Sequence, residues 1–256
     1  MDGPRWVFIG DTHGDTSWMR TVLRSAARAG VRSLVHVGDD AFDWPGRNRS
    51  KHADRTQRLL AENGQTLHFS GGNHDNWKTL LELKTEPDGL ATWRPNIRVF
   101  PRGGRAVVEG LTIGAIGGAY SVDADRRTLG TSWWDTEEPT REDAQRLVDG
   151  GPVDVLVTHD VPLDVPMVGD FKLPPATVDR ANVTRQLLQD VVDQLQPGHV
   201  FCGHWHQRKT HELVHPNGSV TTVEVLANEY NRRTNAVLVS RGEQGLMVEP
   251  LDLSGN

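Results

Sequence analysis

Five short polar clusters, each standing directly behind a run of apolar residues, constrain this chain more than its composition does. Residues 6–9 lead into Gly10-Asp11-Thr12-His13-Gly14, and residues 34–37 into Gly38-Asp39. Residues 66–69 lead into Gly71-Gly72-Asn73-His74-Asp75, residues 153–157 into His159-Asp160, and residues 199–202 into Gly203-His204-Trp205-His206. Short apolar runs rich in β-branched and aromatic residues and bounded by glycine read as buried strands. Polar side chains at successive strand ends can converge on one rim of a sheet.

The residue types at that rim point to a metal centre. Imidazole, carboxylate and amide oxygen together suit manganese, iron, zinc or nickel better than calcium or a thiolate-loving ion. The chain has one cysteine, Cys202, in an apolar strand, which excludes an intrachain disulfide and reads as a buried inert thiol. In an extended segment side chains alternate between faces, so Asp11 and His13 point one way, as do His204 and His206. The neighbouring glycines suit tight turns and close backbone approach to a ligand. A site for two metal ions is the leading reading.

The order Asp-x-His, Gly-Asp, Gly-Asn-His, His, Gly-His-x-His resembles that of the calcineurin-like metallophosphoesterase superfamily over roughly residues 5–210. Five motifs in order are far more specific than any one alone. The resemblance implies an α/β fold, a two-sheet β-sandwich of mixed strands flanked by helices. It implies two divalent ions, manganese first, with iron, zinc and nickel as alternatives. Asp11, His13, Asp39 and His206 would hold one ion, and Asp39, Asn73, His159 and His204 the other, with Asp39 as the bridge. Two ions about 3.5–4 Å apart polarise a phosphoryl oxygen and lower the pKa of a bridging water, which implies phosphoester hydrolysis without a protein nucleophile. By the same resemblance His74 lies near the leaving group, with Asp75 orienting it. A hydrogen-bond network at a helix start is the competing reading of His74 and Asp75.

The 256 residues suffice for a sizeable core, and one domain spanning 1–256 is expected. A net charge of −6 provides no basic field for tight nonspecific binding of nucleic acid, which is therefore not favoured as a partner. A small phosphoester substrate is expected instead, and the sequence identifies no protein partner. No apolar run approaches the roughly 20 residues that a membrane helix needs, so no membrane association and a cytoplasmic location are expected. Amphipathic helices are expected at 16–29, 51–62, 141–148 and 183–195, and antiparallel strands at 210–213, 219–226, 236–239 and 246–249. Asp15 reads as the cap of the first helix, and His36 and His68 as hydrogen-bonded core residues. His52, His199, His211 and His215 lack a carboxylate or histidine partner at a persuasive spacing, and Asp43 is kept outside the primary site.

Two long stretches without periodicity, 119–139 and 160–182, interrupt this pattern. Arg126, Arg127, Trp133 and Trp134 in the first could clamp a phosphate and stack a ring, as a substrate lid. Equally, the tryptophans could pack on the body and the arginines pair with nearby carboxylates. Asp170, Phe171 and Lys172 in the second read as ordinary surface or packing residues. Gly10-Asp11-Thr12-His13-Gly14 looks like the opening motif of serine/threonine protein phosphatases in the superfamily. However, Asp40-Ala41-Phe42-Asp43 replaces their Asp-Arg-Gly, and Gly71 stands where they carry arginine. A phosphodiesterase acting on a nucleotide or another small phosphodiester is the first expectation. A phosphomonoesterase or protein phosphatase, a nuclease and a noncatalytic scaffold follow in that order.

Overall fold

The computed structural model describes residues 3–169, 172–243 and 245–254. Asp170 and Phe171 lie outside the described residues, and Lys172 is exposed. The first sheet holds β1 (Arg5–Ile9), β2 (Ser33–His36), β3 (Thr66–Phe69), β4 (Ala91–Arg94) and β5 (Ile97–Val99). The second holds β6 (Gly104–Val108), β7 (Leu111–Ile116), β8 (Val155–Thr158), β9 (His199–Cys202), β10 (Lys209–Val214) and β11 (Val220–Val225). The chain then returns to the first sheet as β12 (Ala236–Gly242) and β13 (Gly245–Pro250). Strand orders are β13-β12-β1-β2-β3-β5-β4 and β10-β11-β9-β8-β7-β6. In each sheet a parallel centre, β1-β2-β3-β5 or β7-β8-β9-β11, carries antiparallel strands at its margins.

Strand alternation makes the layers. In β1, Trp6 and Phe8 enter the core between the sheets, while Val7 and Ile9 face the helices α1 (Thr16–Arg28) and α2 (Lys51–Asn63). In β8, Val155 and Val157 face the same intersheet core, and Leu156 turns to the opposite layer. That outer layer is built on α4 (Arg141–Asp149) and α5 (Pro175–Leu195), which bring Leu147, Leu188, Val191 and Val192 onto Val200 and Cys202. A short α3 (Trp77–Glu82) follows the third polar cluster, and a single turn, α6 (Arg232–Asn235), precedes β12. The sheets meet most directly at Phe8 and Phe201, whose rings stack at 3.9 Å between centroids. Trp6 ties them again by donating its indole N–H to the Val108 carbonyl at 3.0 Å.

Several expectations shift in position. α5 opens at Pro175 rather than 183, because Pro174 and Pro175 preset the first turn and the turns before 184 lie mostly on the surface, without an apolar stripe. The strands β4 to β7 and helix α3 were not foreseen. β5 has three residues, too few to show a period, and the β6–β7 turn uses Glu109 and Gly110, both at positive φ, in place of the commoner Asn-Gly. Asp15 caps α1 as expected, accepting the N–H groups of Ser17 and Trp18. Among the described residues, no helix is long and apolar enough to cross a membrane.

Because Phe8 and Phe201 are both fully buried at the intersheet contact, Phe201→Ala is expected to cost about 3–5 kcal/mol in urea unfolding. Val107→Ala, on a side chain 67% exposed, is expected to change stability by less than about 0.5 kcal/mol.

Candidate metal centre

All five polar clusters emerge at the C-terminal ends of parallel strands: β1, β2 and β3 in one sheet, β8 and β9 in the other. The facing sheets therefore bring the clusters to one rim. Asp11, His13 and His206 form one group of three donors, and Asp39, His159 and His204 a second. Within each group the donor atoms lie within 4.8 Å of one another. Asp39 stands between them, its Oδ2 3.3 Å from His159 Nε2 and 3.7 Å from His13 Nε2. Asn73 joins the second group, its Oδ1 3.0 Å from His159 Nε2.

The backbone is bent to make this possible. His13, Asp39, His204 and His206 all have φ between 43° and 64°, a region that non-glycine residues enter at a cost and that clusters at functional sites. Glycine solves the remaining crowding. A Cβ on Gly203 would collide with the Asp11 carboxylate, and one on Gly72 with that of Asp39. With hydrogen there instead, backbone N–H groups reach the buried oxygens: His204 N donates to Asp11 Oδ2 at 3.0 Å, and His74 N to Asp39 Oδ1 at 2.7 Å.

Outer hydrogen bonds fix which atom faces the centre. His159 Nδ1 donates to the Val37 carbonyl at 3.1 Å, which turns Nε2 toward Asp39 and Asn73. Asn73 donates its amide N–H to Ser121 Oγ at 2.9 Å, which aims its carbonyl oxygen at His159. His13 Nδ1 pairs with Glu229 Oε2 at 2.9 Å. Glu229 had no motif to mark it in the sequence. A second chain runs behind the rim: His36 Nε2 donates to Thr12 Oγ1, whose hydroxyl donates to Asp40, and Asp40 also accepts from His52 at 2.9 Å. His52 thus has the carboxylate partner that its spacing did not reveal. Asp43 stays apart, bonded to Arg49 and Thr79 beside a cavity of about 340 Å³.

Asp75 requires a correction. Its carboxylate accepts the backbone N–H groups of Gly72, Asp39 and Phe42, between 2.7 and 2.8 Å. It sews the second and third loops together rather than orienting His74. Burial and the nearby Asp39 push its carboxyl up to about 7. His74 is held instead by Arg127, whose Nη1 lies 3.3 Å from the ring Nδ1. A guanidinium can only donate, so Nδ1 accepts and the ring proton sits on Nε2. Burial, reinforced by Arg127, lowers the His74 pKa.

The 119–139 segment follows the packing alternative in part. Trp134 is only 4% exposed and packs with Phe42, Phe69 and Trp77, which removes it as a stacking surface for substrate. Trp133 is half-buried, and Arg126 is exposed on a single 3₁₀ turn. The Arg127 side chain is 7% exposed and bonded to Ser121, the Ser132 carbonyl and Asp123 as well as facing His74.

The donor set fits divalent cations. Each group combines two imidazoles with one carboxylate, the ligand mixture that borderline divalent ions prefer. Among the protein's own charges, burial works against a proton on His159 and on His13, yet Asp39 and its neighbours push both up to about 10. Asp39 itself, despite burial, is held well below the usual carboxylate range by His159, His74 and His13. Burial lowers the pKa of His204.

Two candidate cation groups, with the buried Asp39 carboxylate standing between them, lie at the rim of a two-sheet sandwich. The sequence profile described as calcineurin-like phosphoesterase matches residues 4–208, and the chain belongs to that family of metal-dependent phosphoester hydrolases. A search of curated proteins finds no match in sequence. Among solved structures, a dimetal phosphatase from Danio rerio aligns over 98% of this chain and 100% of its own at 12% identity, with a TM-score of 0.61. TT1561 of Thermus thermophilus aligns over the same shares at 12% identity and a TM-score of 0.55. GAP50, the anchor in the inner membrane complex of Plasmodium, aligns over 100% of this chain and 86% of its own at 13% identity and a TM-score of 0.50. At these identities the likeness is one of fold.

Since protons on His13 and His159 compete with cations up to about pH 10, the apparent affinity for Mn²⁺ is expected to rise with pH from 7 toward 10. Binding at pH 8 is expected to release protons, read as a calorimetric enthalpy that varies with the ionisation enthalpy of the buffer. Asp39→Asn is expected to empty both sites in metal analysis. By contrast, His74→Asn should keep its metal and slow turnover by about 10²–10⁴-fold. Equal metal loss in the two variants would refute this division of roles.

Proposed function

We propose that the chain is a phosphodiesterase acting on a nucleotide or another small phosphodiester. Asp11, His13, Asp39 and His206 hold one divalent ion in this reading, and Asp39, Asn73, His159 and His204 the other. The bound ions supply Lewis acidity toward the phosphoryl oxygens and a water acidic enough to attack near neutral pH. His74 offers its Nε2–H to the leaving oxygen. Burial and Arg127 disfavour a second proton on this ring, while Asp39 favours one.

The observation that carries the diester preference is the closed position at Gly71. A Cβ there meets Leu80 and Trp77 side-chain atoms at under 3 Å, so an arginine where the related protein phosphatases carry one requires those side chains to move. A diester brings one negative charge to the reacting phosphorus, whereas a monoester dianion gains more from added cationic clamps. The net charge of −6 supports a small substrate over a nucleic-acid polymer. Manganese is the first choice of ion, and a cytoplasmic setting fits a soluble nucleotide substrate.

A second reading, phosphomonoester hydrolysis, draws on Arg127, whose guanidinium already lies beside His74. Its prior bonds to Ser121, Ser132 and Asp123 weigh against it as a clamp. The test compares bis(p-nitrophenyl) phosphate with p-nitrophenyl phosphate on chelated, Mn²⁺-restored protein, with Asp39→Asn as the blank. A kcat/KM at least about tenfold higher for the diester is expected, equal to about 1.4 kcal/mol of transition-state preference. Preference for the monoester would transfer the reading to a phosphatase.

A further inference from the structure

The family match ends at residue 208, yet the segment after β11 is built onto the first polar cluster. Asn235 Nδ2 donates to the Asp11 carbonyl at 2.9 Å and to the Ala227 carbonyl at 2.7 Å, while Asn235 Oδ1 accepts the Trp18 indole N–H at 2.6 Å. Gly10 N donates to the Asn235 carbonyl at 2.8 Å. Six residues earlier, Glu229 Oε2 meets His13 Nδ1 at 2.9 Å. The Glu229 side chain is 7% exposed and that of His13 27%. A carboxylate accepts but does not donate, so the contact requires a proton on Nδ1. The other ring nitrogen, Nε2, faces Asp39 Oδ2 at 3.7 Å.

We propose that Glu229 is a positioning residue of the metal centre, fixing the ring orientation and tautomer of His13 so that Nε2 is presented to the first ion. The inference rests on the two-ion reading of the rim. It assigns to the segment beyond the family match a part in metal binding: a carboxylate behind a ligating imidazole raises the basicity of the ligand and holds its plane. The first site then has a different outer partner from the second, where His159 is held by a backbone carbonyl. Removing the Glu229 side chain should consequently weaken one ion selectively.

The experiment titrates Mn²⁺ calorimetrically into the chelated 256-residue chain and its Glu229→Ala, Glu229→Gln and Tyr230→Ala variants. Glu229→Ala is expected to bind one ion about 10–100-fold more weakly while the other keeps its parental affinity. Glu229→Gln, which retains an accepting oxygen, should fall between parent and alanine variant. Tyr230→Ala, on the adjoining residue whose side chain is 84% exposed, should match the parent. Long-range ¹H–¹⁵N spectra of the zinc-loaded parent are expected to place the His13 proton on Nδ1. Parental affinity for both ions in Glu229→Ala, equal weakening of both, or a proton on His13 Nε2 overturns the proposal while leaving the two-ion reading intact. A parent chain that takes up fewer than two ions overturns that reading and the proposal together.

Discussion

Two fully buried carboxylates, Asp11 and Asp39, set the terms for the rest of this structure. Each loses hydration on burial, and the two repel each other. They remain ionised because the rim surrounds them with compensating groups: His206 and His159 beside Asp11, and His159, His74 and His13 beside Asp39. Backbone N–H groups of His204 and His74 add a hydrogen bond to each carboxylate. Most of the unusual local geometry follows from that requirement. The left-handed residues turn the loops inward, and Gly72 and Gly203 let the main chain touch a carboxylate.

Neither sheet could satisfy it alone. One sheet delivers Asp11, His13, Asp39 and Asn73, the other His159, His204 and His206. Their separation is set by the aromatic and aliphatic filling between them, chiefly Trp6, Phe8 and Phe201. Packing in that core is consequently a determinant of donor spacing several residues away. Asp75 extends the same logic within the first sheet, since one carboxylate spanning three backbone donors fixes the second loop against the third.

Much of the layered fold was legible from short periodic runs, because alternation at Trp6 to Ile9 or Val155 to Val157 records which layer each residue faces. The motif-bearing side chains were legible because their chemistry recurs at strand ends in a fixed order. What escaped the sequence has no local signature. Glu229 reaches His13 across 216 positions, and His52 finds Asp40 only when the loop before α2 folds back. Trp134 looked available because a tryptophan in an aperiodic loop carries no sign of the Phe42, Phe69 and Trp77 cluster that encloses it. Asp75 follows His74 directly, so proximity in the chain suggested a bond that the turn replaces with main-chain contacts.

The first strand is enclosed by the penultimate one: β1 lies between β2 and β12, with Arg5 to Ile9 paired antiparallel to Ser240 to Ala236. Synthesis on the ribosome produces these partners more than two hundred residues apart. Until β12 emerges, β1 presents an open edge and the loop carrying Asp11 lacks its Asn235 anchor. The Asp11 loop of a nascent chain therefore gains its anchor only once Asn235 has emerged. Closure of that long contact is the topological step that couples the joining of β12 to the first sheet with the ordering of the candidate metal centre.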